Sequence, residues 1–182
     1  MLIAVKPNTY IYLVLLLFFV PFPWLTAWLA AAAFHEFCHW LAVRMLGGRI
    51  CRLTVGLGGA VMESDPLTAG KNLFSVLCGP VGGFLLVLLG RWLPRVAICS
   101  WVLSVYNLLP LLPLDGGRAL RILVRDEKHF LVAEKVILLL LTATAICVTF
   151  VLRIGIFPLC IVGILWLKNR NSPCKEGVCK VQ

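Results

Sequence analysis

Two histidines and a glutamate lie within five residues of one apolar stretch, AAAFHEFCHW (residues 31–40). His35 and His39 are four residues apart, so on a helix both imidazoles project from the same face, one turn apart. A helix presents two imidazole ligands to one zinc ion in this way. Glu36 lies about 100° further around the helix, where a carboxylate can take a proton from a water molecule beside the metal. The spacing therefore predicts a hydrolytic zinc site with Glu36 as general base.

A structural role for the same residues is the alternative interpretation. His35 and His39 could be hydrogen-bonded core histidines with Glu36 as their partner, and Cys38 could be a further zinc ligand or a small apolar residue. An ionisable group at the centre of a membrane span costs about 2.5–3.5 kcal/mol by insertion scales. That cost is explained if the group is used, and the complete H-E-x-x-H pattern favours a metal site.

A catalytic zinc takes a third protein ligand and leaves one position open for water. The third histidine of the chain, His129, lies in a basic segment, which leaves acids as the candidates. They are Glu63, Asp65, Asp115, Asp126, Glu127, Glu134 and Glu176.

Asp115 is distinguished from the other acids by the stretch around it, NLLPLLPLDGGR (residues 107–118). Its two prolines and two glycines predict that a regular helix cannot continue there. A transmembrane helix that breaks around polar groups usually lines a functional cavity. Glu63 precedes Ser64-Asp65-Pro66, which is a turn pattern. A solvated turn is therefore the simpler explanation for its carboxylate. The sequence therefore favours Asp115 as third ligand.

Asn107 begins the same stretch and lies at the end of an apolar run. Its amide could hydrogen-bond the backbone or the oxyanion of a substrate. It could equally cap the broken backbone of the helix, and both roles stay open.

The composition indicates a polytopic membrane protein. Of 182 residues, 61% are hydrophobic and 14% are charged, against about a quarter charged in soluble domains. The net charge of +9 does not indicate nucleic acid binding, because the basic residues lie in short segments between apolar runs. Six spans are predicted, near residues 5–22, 24–46, 72–90, 96–114, 136–152 and 154–167.

The distribution of basic residues orients these spans. With the N-terminus in the cytoplasm, the outside segments hold Arg91, Arg95 and Arg153, and the other fourteen of the 17 lysines and arginines lie inside. Cytoplasmic loops carry such an excess. We therefore expect a multi-pass protein with both termini in the cytoplasm.

Between the second and third spans, residues 47–65 alternate apolar and polar side chains around Gly58-Gly59. The pattern predicts a small β-hairpin near residues 50–63, with an ordinary cytoplasmic loop as the alternative. The predicted fold class is thus an all-α polytopic membrane protein with about six transmembrane helices and a small membrane-associated hairpin. One transmembrane domain, residues 1–168, is followed by a short cytoplasmic tail, residues 169–182.

Two of these motifs together resemble a known family. HEFCH (residues 35–39) and NLLPLLPLDGGR (residues 107–118) are similar to the motifs of the site-2 protease family of intramembrane zinc metalloproteases. The glycine-rich residues 56–59 and CGPVGG (residues 78–83) fit the same core, and the resemblance covers about residues 24–125. Gly83 departs from it, because many members have Asn at that position.

The resemblance implies one zinc ion per chain, held by His35, His39 and Asp115. It implies that Glu36 is the general base, that Asn107 contacts the substrate, and that the substrate is a membrane-anchored or membrane-associated protein. Six spans resemble the bacterial stage IV sporulation protein FB branch, which acts on a sigma-factor precursor. That implies a bacterial cell membrane, with inhibitory or regulatory membrane proteins as candidate partners.

A further difference from the family and two rival functions have to be considered. The sporulation branch often carries a nucleotide-sensing CBS domain after the last span; 15 residues follow Leu167, so we expect that regulation to be absent. A metal-ion transporter could use the same ligands transiently, but transporters often have paired halves and no internal repeat is present. A catalytically inactive scaffold would not need the complete set of ligands and base.

Overall fold

The computed structural model describes residues 2–5, 20–56, 59–64, 67–124, 126–152 and 162–167, and most of these are helical. The helices are α1 (Phe22–Met45), α2 (Ala69–Val87), α3 (Pro94–Asn107), α4 (Asp115–Leu123) and α5 (Glu127–Leu152). A 3-10 turn, Leu88–Arg91, follows α2, and residues 162–167 are also helical. The chain divides into two compact units, one up to Asn107 and one from Leu108 onward.

In the first unit, α1, α2 and α3 pack against one another. Helix α1 corresponds to the predicted second span, and prolines in its first turn suit a helix start. It ends at Met45. Gly47, just beyond this end, has a φ of 83° in the left-handed region, and the amide of Gly48 donates to the Val43 carbonyl at 2.9 Å. The H-E-x-x-H turn of α1 contacts α2 through His39.

Glycines of α2 allow the three helices to approach closely. A β-carbon on Gly82 would overlap the Cys38 thiol of α1, and one on Gly83 would overlap the Ser104 hydroxyl of α3. The Ser100 hydroxyl donates to the Gly83 carbonyl at 3.1 Å. Small residues at helix contacts are typical of membrane bundles, where backbone approach and interhelical hydrogen bonds drive association.

A three-stranded sheet with the order β1-β2-β3 also belongs to the first unit. Strand β2 (Ile50–Gly56) pairs antiparallel with β3 (Gly59–Ser64), and β1 (Leu2–Val5) pairs parallel with β2. Strand β1 was not predicted, because parallel pairing across some fifty residues leaves no local sequence signal. The rest of the predicted first span, up to residue 19, lies outside the described residues, and the membrane association of β2 and β3 stays a prediction.

In the second unit, residues 108–114 form a non-helical turn before α4. The predicted fourth span, 96–114, is therefore helical only up to Asn107, and its predicted break is present. The expectation for the two glycines was wrong, since Gly116 and Gly117 lie in the first turn of α4. Because these glycines lack side chains, α4 can lie directly against the turn before it. A β-carbon on Gly116 would overlap the Leu108 carbonyl, and one on Gly117 would overlap the Leu111 backbone.

Helix α5 begins nine residues before the predicted fifth span of 136–152. Asp126 stands at the N-cap, where its carboxylate accepts a hydrogen bond from the Lys128 amide at 3.0 Å. That bond, together with the His129 side chain, lowers the pKa of Asp126 below its usual value. Phe130 and Glu134 are buried. The polar first turns of α5 therefore have one face that packs inward, and they extend the helix beyond the predicted span.

Two helical segments of the described residues are long and apolar enough to cross a membrane, Ala69–Arg91 and Glu127–Cys147. Many large apolar side chains on the helices are exposed, among them Leu85, Leu88, Leu139 and Leu140. These features agree with a lipid environment, while the number of spans and their orientation stay predictions.

Candidate metal and catalytic site

Helix α1 brings the two histidines of the H-E-x-x-H pattern together. The Nε2 atoms of His35 and His39 are 3.1 Å apart, and the two rings meet edge to face at 81°. His35 is 3% exposed and His39 is half-buried. Two nitrogens bound to one tetrahedral zinc at 2.0–2.1 Å would be about 3.3 Å apart. The observed separation is close to that value.

The orientation of the His39 ring is set by a neighbouring helix. Its Nδ1 lies 2.8 Å from the Ser75 carbonyl of α2. A carbonyl oxygen only accepts, so Nδ1 carries the proton, and in a neutral imidazole Nε2 is then the atom with a free lone pair. Metal-ligating histidines typically donate their other nitrogen to a carbonyl or carboxylate in this way. Nε2 of His39 is therefore prepared to bind a metal or to accept a hydrogen bond from His35.

Gly79 makes room for that ring. A β-carbon at this position would overlap the His39 imidazole. Because Gly79 is one turn beyond Ser75 on α2, the two residues bound the same side of the ring, one by a hydrogen bond and one by close contact. The imidazole is thus held by packing as well as by its hydrogen bond.

Glu36 and Asn107, the predicted base and substrate contact, also belong to the first unit. Glu36 follows His35 on α1 and is half-buried, so its carboxylate is neither in the core nor fully in solvent. Asn107 is the last residue of α3 and is half-buried too. Its place at a helix end is compatible with either predicted role, a cap or a substrate contact.

Asp115 opens α4 in the second unit and is 8% exposed. The turn before it is ordered by its own hydrogen bonds: the Leu114 amide donates to the Leu111 carbonyl at 2.8 Å, and the Arg118 amide to the Leu114 carbonyl at 3.0 Å. A buried carboxylate in the first turn of a helix is favoured by the helix dipole. Asp115 is therefore held in a defined place by residues 111–118.

The donor set of His35, His39 and Asp115 could hold a metal ion. Two imidazoles and one carboxylate match the three protein ligands of zinc hydrolases that keep a fourth position open. Zinc is therefore the metal that these residues fit best. Glu63 lies in β3, and the choice of Asp115 over Glu63 as third ligand stays a prediction.

Three features of the site were missed from the sequence. The Ser75 carbonyl is a backbone group and has no residue-type signal. Gly79 lies in the CGPVGG motif, but contact with His39 needs the packing of two helices. Glu134, which accepts a hydrogen bond from the Leu112 amide at 3.2 Å, was among the candidate acids but was assigned to a cytoplasmic segment.

Among solved structures, the chain is similar to the site-2 protease from Methanocaldococcus jannaschii, with a TM-score of 0.65 and 18% sequence identity. The match covers 93% of this chain and 89% of the other. The resemblance to site-2 proteases is therefore confirmed at the level of the fold.

Sequence comparison does not add to this result. No protein-family model matches the chain, and no curated protein matches it by sequence.

Proposed function

We propose that this chain is an intramembrane zinc metalloprotease of the site-2 protease type. The observation that carries the proposal is the geometry of the histidine pair: Nε2 atoms 3.1 Å apart, with His39 Nδ1 donating to the Ser75 carbonyl. The shared fold supports it. The proposal assigns His35, His39 and Asp115 as zinc ligands, one zinc per chain.

The chain's own residues would supply proton transfer and substrate binding. When bound, zinc lowers the pKa of water and polarises a carbonyl. Glu36 accepts the proton of the attacking water and then delivers it to the amine that leaves. Asn107, at the end of α3, donates its amide hydrogens to the substrate carbonyl or backbone. His35 and Asp115 are both buried.

The proposed substrates are membrane-anchored or membrane-associated proteins, with a sigma-factor precursor or another transcriptional regulator as a candidate. A helical substrate hides its carbonyls in internal hydrogen bonds, so it has to present an extended segment. Strand β3 has β2 on one side, and within the described strands its other edge has no neighbour. An extended substrate could add to that edge by main-chain hydrogen bonds.

The proposed location is a bacterial cell membrane, with several spans and both termini in the cytoplasm. The support is the two membrane-capable helices and the excess of basic residues on one side of the predicted spans. Inhibitory or regulatory membrane proteins remain candidate partners.

The deciding experiment compares the wild type with Glu36→Gln. We expect the purified wild type to contain about one zinc per chain and to cleave membrane-anchored test substrates until a chelator is added. Glu36→Gln should keep its zinc and its fold but lose cleavage by about 10²–10⁴-fold, the range typical of a general base. His35→Ala is the control that should lose zinc.

The rival functions give different results. A metal-ion transporter would keep much of its zinc flux in Glu36→Gln, measured in vesicles, and would show no chelator-sensitive cleavage in the wild type. A hydrogen-bonded core pair would show no zinc in the wild type. Substantial cleavage by a pure Glu36→Gln preparation would remove Glu36 from the role of base.

A further inference from the structure

Glu134 is a buried acid that the proposed reaction does not use. It lies in the second turn of α5 and is 1% exposed, so its side chain is among the least accessible of the described residues. A carboxyl group removed from water is destabilising unless it is hydrogen-bonded. Its Oε1 accepts a hydrogen bond from the Leu112 amide at 3.2 Å. The bond joins α5 to the non-helical turn of residues 108–114.

The Leu112 amide lies in the centre of this turn and donates to Glu134 rather than to a carbonyl of the turn itself. Pro110 and Pro113 have no amide hydrogen, and the Leu111 amide donates locally to the Leu109 carbonyl at 2.8 Å. Leu112 is 6% exposed, so water does not replace a protein acceptor. The segment broken by the two prolines thus contains the buried Leu112 amide, and Glu134 of α5 accepts its hydrogen bond.

The turn and the start of α4 are packed closely together. The amide of Leu114 donates to the Leu111 carbonyl at 2.8 Å, directly before Asp115. A β-carbon on Gly117 would overlap the backbone of Leu111 and Leu112, so α4 lies against that peptide with no side chain between them. Asp115 lies three residues after Leu112 within this segment, and the bond at Leu112 therefore bears on its position.

We propose that Glu134 is a positioning residue, which fixes residues 108–114 through the Leu112 amide and thereby sets the place of the Asp115 carboxylate. The proposal rests on the proposed function, in which Asp115 is a zinc ligand. Glu134 itself binds neither metal nor substrate in this scheme. Its effect is on the affinity of the site for zinc.

The test uses the full-length protein in detergent and three variants. Glu134→Gln keeps an amide oxygen of the same reach and should keep zinc affinity within about threefold of the wild type. Glu134→Ala removes the acceptor and should lower the affinity by about tenfold, the lower end of the range for groups that orient metal ligands. Leu138→Ala is the matched control, because Leu138 is 2% exposed one turn further along α5. It should lower the unfolding temperature without changing zinc affinity.

A second measurement does not depend on zinc. Amide hydrogen exchange at Leu112 in metal-free protein should be accelerated at least tenfold in Glu134→Ala and remain near the wild-type rate in Glu134→Gln. Equal exchange rates in all three proteins would overturn the inference. So would a loss of zinc affinity in Leu138→Ala as large as that in Glu134→Ala, because packing alone would then explain it.

Failure of the proposed function has a separate signature. If the wild type binds no zinc while Leu112 exchange depends on Glu134, the zinc assignment is wrong and the hydrogen bond still holds the turn. If the wild type binds zinc through His35 and Glu134→Ala binds it equally well, the positioning role of Glu134 is wrong.

Discussion

A β-carbon at residue 79 would overlap the imidazole of His39, so Gly79 of α2 and His39 of α1 touch with no side chain between them. Since the same ring donates to the Ser75 carbonyl one turn earlier, α2 sets both the rotation and the depth of the imidazole. The histidine pair therefore depends on α2 as much as on its own helix.

Replacing Gly79 by Ala should disturb the site more than the fold. The added methyl would overlap the His39 ring, so the ring or the helix has to shift, and we expect zinc affinity to fall by about 10–100-fold. Competition with a zinc chelator measures the change in zinc affinity. Gly70→Ala is the matched control, since a β-carbon there has nothing within 4 Å and helix propensity alone should stabilise α2 slightly. Wild-type zinc affinity in Gly79→Ala would contradict the predicted role.

Asp115→Asn and Glu63→Gln should separate the two acids that the sequence offered as third ligand. Removing the charge from a zinc ligand should lower metal occupancy and cleavage together, whereas removing a carboxylate that is not a ligand, as we expect of Glu63, should leave both near the wild type. Zinc content by mass spectrometry and cleavage of a membrane-anchored substrate are measured on the same preparations. Loss of zinc in Glu63→Gln with retention in Asp115→Asn would show that the third ligand is Glu63.

Gly83 and Ser104 should show strong coupling in stability. Gly83→Ala places a methyl on the Ser104 hydroxyl, an overpacked contact of a kind that costs about 1–3 kcal/mol. Ser104→Ala removes the oxygen and leaves its β-carbon 3.4 Å from the new methyl, which is ordinary contact. The double variant should therefore be more stable than Gly83→Ala alone, as measured by thermal unfolding in detergent. Additive effects of the two substitutions would refute this contact.

The membrane orientation can be tested with reporter fusions. We expect cytoplasmic signals after Lys71, Lys128 and Gln182 and external signals after Arg95 and Arg153, because the basic residues then lie mostly inside. The five fusions test every predicted loop that follows the second span. An external signal at Gln182 together with the other expected signals would mean that residues 154–167 do not cross the membrane.

The sequence by itself determined the features that depend on local spacing. The i, i+4 separation of His35 and His39 places both rings on one face of α1 wherever that helix lies. Pro110 and Pro113 end a helix because they lack the amide hydrogen and clash with the preceding turn. Apolar runs long enough to cross a membrane are equally local, and α1 agrees with the predicted second span within two residues.

Only the tertiary structure decided which distant groups complete these local patterns. The Ser75 carbonyl meets His39 across 36 residues of chain, and Glu134 meets the Leu112 amide across 22. Strand β1 pairs with β2 in the same non-local way. Gly116 and Gly117 were expected to break a helix, but they lie in the first turn of α4, in close contact with the turn before it. The physical reason is common to all four: such contacts arise when helices and strands pack, and residue type along one segment does not specify its partner.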